Sequence, residues 1–414
     1  MGSIKNSPVH YGWIILAAGA FGSFMTLPGQ TAGVSVFLDP ITAELGVSRT
    51  WASAAYAAGT LAGILPAPLI GRWIDRRGPR LTATIISAAL ALACAYMAFI
   101  QSGLALLVGF ALLRGAAIGG LSLVSQQVVN LWFVQRRGMA AAAASLGLSA
   151  GAMVFPALTD HLISAFGWRG AYVALAALVG LTILPVAAAV FRGRPETYGI
   201  STDAGLTPAL TVGRDEPSFT RKEALRTGAF WLLCAIGFIT NAVGTALLLN
   251  HFSIMQTAGI HRADALIVLA FYALVQAGAT LGTGALLDYI EPRRLVPLAM
   301  VFLATASALP AFASGVVVSW LYALCLGAAY GSQQAIGAAG YAHYFGRDHL
   351  GAIRGASFVF GISGAAFGPI PFAATFDSTG NYFFALIWSC ALAIACGVAS
   401  LFVGTPHSSQ KEAV

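Results

Sequence analysis

Gly71-Arg72-Trp73-Ile74-Asp75-Arg76-Arg77-Gly78-Pro79-Arg80 is the stretch that decides the fold. It is a charged island between two long apolar segments, in a 414-residue chain that is 58% hydrophobic and only 9% charged. A weaker copy, Gly284-x-x-x-Asp288-x-x-x-Pro292-Arg293-Arg294, lies 213 residues downstream. The same offset carries Leu45-Gly46-Val47-Ser48-Arg49 onto Ala258-Gly259-Ile260-His261-Arg262. Trp132-Phe133 with Gly138 recurs as Tyr344-Phe345 with Gly351, after 212 and 213 residues. One near-constant offset at several helix junctions marks a duplicated chain.

The mean hydropathy of +0.80 lies far outside the soluble range, and the apolar runs are long enough to span lipid. Apolar runs of about 20 residues or more predict twelve spans. In the first half these are 11–37, 51–70, 81–101, 104–131, 139–165 and 170–191. In the second half they are 228–257, 264–287, 295–313, 316–345, 353–376 and 382–403. The runs are continuous and do not alternate, so a closed barrel is excluded and the fold is an all-α membrane protein. Residues 1–191 form an N-terminal six-helix bundle. Residues 192–227, rich in Gly, Pro, Asp, Glu and Arg, form a cytoplasmic linker, and 228–414 a C-terminal six-helix bundle with a short cytoplasmic tail.

Lys and Arg set the orientation. With the N-terminus inside, cytoplasmic segments hold eighteen of them and the opposite face only Arg49, Arg169 and Arg262. Both termini are therefore expected in the cytoplasm, with the protein multi-pass in a bacterial-type inner membrane. The net charge of +7 reflects these loops. No stretch pairs a basic patch with exposed aromatics, which argues against nucleic acid as a partner. The five cysteines fall inside apolar segments, are odd in number and lack metal-ligand spacing, so no metal is expected. The first apolar segment is too long for a signal-peptide core and is expected to stay in the mature protein.

The pattern Gly-x-x-x-Asp-Arg-x-Gly-x-Arg at residues 71–80 resembles the signature loop between helices 2 and 3 of the major facilitator superfamily of secondary transporters. That resemblance implies two parallel six-helix repeats. It also implies a conformational latch built from Gly71, Asp75, Arg76, Gly78 and Arg80, with Asp288 and Arg293 in the second half. Trp132-Phe133-Val134-Gln135-Arg136-Arg137-Gly138-Met139-Ala140, followed by small residues to Gly147, resembles monocarboxylate carriers and their bacterial oxalate/formate-antiporter relatives. Gly12-Trp13 resembles part of the same group's opening motif. Animal monocarboxylate carriers place a lysine in the first span and an Asp-x-x-x-Arg pair in the eighth. Here the first span has no lysine, and the pair falls at Gln276 and Thr280. Lactate-type proton symport therefore does not carry over residue by residue.

Arg114 is the one Arg or Lys that the predicted spans place inside the membrane, Arg354 standing at the cytoplasmic start of its span. It lies about eleven residues into the fourth span, about 16 Å deep at 1.5 Å per residue, and an intramembrane charge requires a wet cavity or a partner. It is either an anion contact or a structural arginine tied to backbone carbonyls. Gln30 and Thr31 in the first span, Asn241 in the seventh, Gln276 in the eighth, and Tyr330, Gln333 and Gln334 in the tenth form a second set. The first, fourth, seventh and tenth helices line the cavity in the resembled fold, so these groups would orient a small polar substrate or serve as interhelical hydrogen bonds. Asp160, His161, His251 and His343 lie near helix ends, where they read as solvated caps or as a proton relay. Gly147-x-x-x-Gly151 and Gly364-x-x-x-Gly368 permit close helix approach. Pro156 does not complete the Gly-x-x-x-Gly-Pro motif common in drug antiporters.

No Walker sequence or catalytic triad is present, so no enzymatic activity and no cofactor are expected, and energy must come from a gradient. The expected function is secondary transport of a small organic anion, a monocarboxylate, by proton-coupled symport or anion exchange in a monomer embedded in the bilayer. The alternative is an exporter of larger apolar or drug-like compounds.

Overall fold

The computed structural model describes residues 10–133, 137–198, 219–287, 289–346 and 349–403, and no strand occurs among them. The chain divides into two compact units, Met1–Thr211 and Val212–Val414. The first holds α1 (Tyr11–Phe24), α2 (Thr31–Leu45), α3 (Arg49–Ile64), α4 (Ala67–Ala98), α5 (Gly103–Arg114), α6 (Leu123–Trp132), α7 (Arg137–Leu181) and α8 (Ile183–Val190). The second holds α9 (Arg221–Ala224), α10 (Gly228–Leu249), α11 (His251–Thr257), α12 (Arg262–Leu286), α13 (Pro292–Phe312), α14 (Val316–Phe345), α15 (Leu350–Phe367), α16 (Pro369–Thr379) and α17 (Phe383–Phe402). Several start where the sequence offers a cap. The hydroxyls of Ser48, Ser102 and Thr227 accept from the backbone N–H three residues on.

Among the described residues, ten stretches are long and apolar enough to cross a membrane. Two of them, Arg49–Ala98 and Ala143–Val190, have 50 and 48 residues, each enough for two crossings of a ~30 Å hydrocarbon core. Each turns at one glycine in a left-handed backbone conformation, Gly78 at φ 81° and Gly167 at φ 70°. Ten stretches plus two extra crossings give twelve.

Six predicted spans are not single regular helices; the second breaks at Leu65-Pro66 and the sixth at Thr182. The first stops at Phe24, passes through a 3₁₀ turn at Leu27–Gly29 and resumes as α2, which runs on to Leu45 instead of ending at 37. Pro28 has no N–H to give to an α-helical ladder, and this explains the break. The fourth contains a π-helical segment, Gly115–Ser122, built largely of small residues. The seventh breaks at Asn250 and the eleventh at Gly368-Pro369.

Within the first unit, α1 packs on α7, α3 on α5, and α4 on α7 and α8. Within the second, α10 packs on α15, α12 on α14, and α13 on α17. In span order these are the same three pairings, first with fifth, second with fourth and third with sixth, repeated. Small residues make the first of them close. A Cβ on Gly147 would lie 1.9 Å from the Ala20 carbonyl oxygen, and one on Gly368 2.1 Å from that of Ala242. Large apolar side chains such as Phe99, Leu181, Trp388 and Phe402 are 70–83% exposed, as a lipid-facing surface requires.

Candidate functional site

The break in the first span prepares the first unit's polar cluster. It takes the Gly29 carbonyl out of the helical ladder, and that oxygen accepts from Arg114 Nη1 at 3.3 Å. The same Nη1 donates to Tyr56 Oη at 2.5 Å, and the guanidinium carbon sits 4.2 Å over the Tyr56 ring. Tyr56 Oη also lies 2.7 Å from Thr31 Oγ1. Gln30 precedes the first residue of α2 and donates from Nε2 back to Thr26 Oγ1 at 3.3 Å. Arg114 is 4% exposed, its Nε is buried without a partner, and among the described residues no carboxylate pairs with it. The structure thus holds a desolvated cation, bonded only to neutral oxygens, at the last turn of α5 where the π segment begins.

Tyr56 was missed by reasoning from the sequence. It is fully buried at 0% exposure, yet it stands in an apolar run of the second span, which was not among the expected cavity helices. The available signal was a lone phenol between small residues in Ala54-Ala55-Tyr56-Ala57-Ala58.

The second unit gathers some candidates and separates others. Asn241 Nδ2 donates to the Gly237 carbonyl at 2.7 Å, and Gln333 Nε2 stands 3.7 Å from where a Gly237 Cβ would be. Tyr330 Oη lies 3.5 Å from Thr245 Oγ1, with its ring over Gly244. Gln334 points elsewhere: it is exposed and accepts from Thr280 Oγ1 at 3.3 Å on the seam of α12 and α14. Gln276 lies under α14, and its side chain makes no hydrogen bond among the described residues.

The latch residues divide likewise. Asp75 and Arg76 are exposed and have no hydrogen-bond or ion-pair partner among the described residues, and Gly71 is half-buried. Gly78 supplies the left-handed turn. Arg80 Nε donates to the Ala188 carbonyl at 2.5 Å, a cation set on the last turn of α8 where the helix dipole favours it. Asp288 lies outside the described residues. Arg293 pairs with Glu291 at 2.8 Å, which holds that carboxyl below the usual carboxylate range, and its N–H donates to Tyr344 Oη.

His251 corrects an expectation. It is not a solvated helix cap: it is 1% exposed, with Nε2 2.9 Å from the Ala265 carbonyl. His161 and His343 are exposed and Asp160 is half-buried.

Duplicated pairing of apolar helices, a lipid-facing exterior and an enclosed cation define a polytopic helical membrane protein of transporter type. The family model of the Major Facilitator Superfamily matches residues 13–369, and the chain belongs to that family. Among characterised proteins it is similar to an oxalate:formate antiporter of Oxalobacter formigenes, 25% identical over 55% of this chain and 51% of that protein. It is also 25% identical to human monocarboxylate transporter 6, over 59% of this chain and 50% of the relative. The matches thus span about half the length of these relatives. Solved structures of a bacterial homolog of the human lysosomal transporter Spinster share the fold. The unoccupied inward-facing form has a TM-score of 0.70 at 17% identity, covering 94% of this chain and 95% of that one. The occupied form has a TM-score of 0.72 at 14% identity, covering 97% and 100%.

Proposed function

We propose that the chain is a secondary transporter of a small organic anion, a monocarboxylate, working by alternating access with proton symport or anion exchange. The observation that carries this reading is Arg114. A buried charge without a counter-ion is costly, by several kcal/mol per ion, and a substrate carboxylate supplies the missing partner. The guanidinium fork suits a carboxylate, and the enclosed Nε leaves it an unused donor. One cation favours a monoanion. The oxalate:formate antiporter and the monocarboxylate transporter among its relatives support the same substrate class.

On this reading both termini are cytoplasmic and residues 71–80 act as a latch. Asp75 is expected to cap or pair with a neighbouring helix end in one conformational state only, holding the cytoplasmic side shut. The test is uptake and counterflow of labelled formate, acetate, lactate and oxalate by the purified protein in liposomes. Saturable exchange of a monocarboxylate is the expected result. Absence of saturable binding or exchange across the panel would overturn the substrate class.

A further inference from the structure

We propose that His251 is a proton-binding site of the second unit, gaining its proton at Nδ1 when the packing of α11 against α12 and α14 opens. The geometry is specific. Because the Ala265 carbonyl can only accept, Nε2 carries the hydrogen of the neutral ring and Nδ1 is a bare lone pair. That Nδ1 is buried with no partner. The imidazole stacks on Tyr322 with ring centroids 5.9 Å apart and planes inclined by 23°, and the Tyr322 hydroxyl is likewise buried without a partner.

The site stands where helical backbone is interrupted. Asn250 separates α10 from α11, returning its Nδ2 to the Ala246 carbonyl at 3.0 Å. Tyr382 Oη lies 3.4 Å from Asn250 Oδ1 and 2.9 Å from Ser253 Oγ, stitching the break to the start of α17. Around the ring stand Phe252 on α11, Ala265 on α12 and Tyr322 on α14. The titratable groups facing it are the Tyr322 phenol and, beyond it, Tyr272, whose ring meets that of Tyr330 at 6.1 Å. The charged side chains of the adjoining turn of α12 are Arg262, 4.6 Å over the Phe252 ring, and half-buried Asp264.

The consequence is conformational. A proton on Nδ1 makes both ring nitrogens donors and adds a charge, and the packed arrangement has an acceptor for only one. The imidazolium is therefore favoured in a conformation where this contact admits water or an anion, and proton uptake shifts the population towards it. A buried ionisable group that is half-satisfied in one state has the property a coupling site needs. The coupling role rests on the transport reading above; the proton binding does not.

Two measurements separate them. Histidine-labelled protein, purified in detergent, is titrated by NMR between about pH 4 and 8, the range where histidine changes charge. One signal, absent from His251→Gln, is expected to pass from the Nε2-protonated neutral ring to imidazolium while the protein stays folded. A His251 signal that stays neutral throughout overturns the site, whatever the protein transports. If the Gln variant does not fold, Tyr322→Leu keeps His251 and removes the ring face that supports its cation. Its titration is expected to move down by about half to one pH unit, and an unmoved titration overturns the placement. In liposomes, His251→Gln should lose at least about tenfold of pH-gradient-driven accumulation of the carboxylate while retaining exchange. Wild-type accumulation by this variant overturns the coupling role. No exchange by the wild type, with a titrating His251, sinks the transport reading and leaves the proton site standing.

Discussion

Arg114→Gln separates a binding arginine from a structural one, because the structure assigns the two roles different signs. Removing the guanidinium deletes the bonds from Nη1 to Tyr56 Oη and to the Gly29 carbonyl, at 2.5 and 3.3 Å. Tyr56 Oη keeps Thr31 Oγ1 at 2.7 Å, so it is not orphaned. Against the lost bonds stands relief from burying an unpaired cation, which costs several kcal/mol per ion. These effects oppose one another, and the Tm of the substrate-free variant is expected to stay within about 3 °C of wild type or to rise. Substrate affinity has no such compensation. A charge-assisted hydrogen bond contributes roughly 1.5–3 kcal/mol, and about 1.4 kcal/mol is tenfold, so Kd should weaken by about one to two orders of magnitude. Arg114→Lys should recover part, since a point charge replaces neither the fork nor the stacking on Tyr56 at 4.2 Å. The assay is calorimetric Kd for the carboxylate exchanged in liposomes, with Tm measured on the same preparations. A Tm that falls well beyond this range with unchanged Kd would show that Arg114 holds the first unit together and does not touch the anion. Export of apolar cations that persists or improves in the variant would put the exporter reading in front.

Other outcomes follow from the latch, the orientation and the packing. Asp75→Asn is expected to slow transport by shifting the conformational equilibrium while leaving the affinity of each state unchanged; a wild-type rate would remove the loop from that role. A cysteine at Ser102 or Ser378 should react with an impermeant thiol reagent from outside intact cells and one at Ser201 should not, and labelling at 201 in sealed cells would reverse the orientation. Gly368→Ala places a Cβ 2.1 Å from the Ala242 carbonyl oxygen and should destabilise the second unit by about 1–3 kcal/mol, seen as a lower Tm. An unchanged Tm there would mean that α10 and α16 separate without cost.

Hydropathy and the 71–80 loop sufficed for the fold class and the family, because lipid requires long apolar runs and the charged island interrupts them at a fixed place. What escaped lies where the backbone leaves the regular helix. Pro28-Gly29 was visible as a breaker pair, yet a count of apolar residues runs straight through it. Its effect, releasing the Gly29 carbonyl to meet Arg114, concerns residues 85 positions apart. Tyr56 was hidden for the same reason: its meaning comes from Arg114 and Thr31, which belong to other helices. His251 looked like a helix end because Asn250 does end a helix, but Tyr382 and Ala265 close over that end and enclose it. Non-helical backbone at membrane depth is tolerated only where it is buried in protein or lines a wet cavity. In this chain the 3₁₀ turn at Leu27–Gly29, the π segment after Arg114 and the break at Asn250 each adjoin a buried ionisable group. These three interruptions are thus places where a bundle of apolar helices can hold charge, and a search for function in such a sequence should include its glycines, prolines and asparagines and not its charges alone.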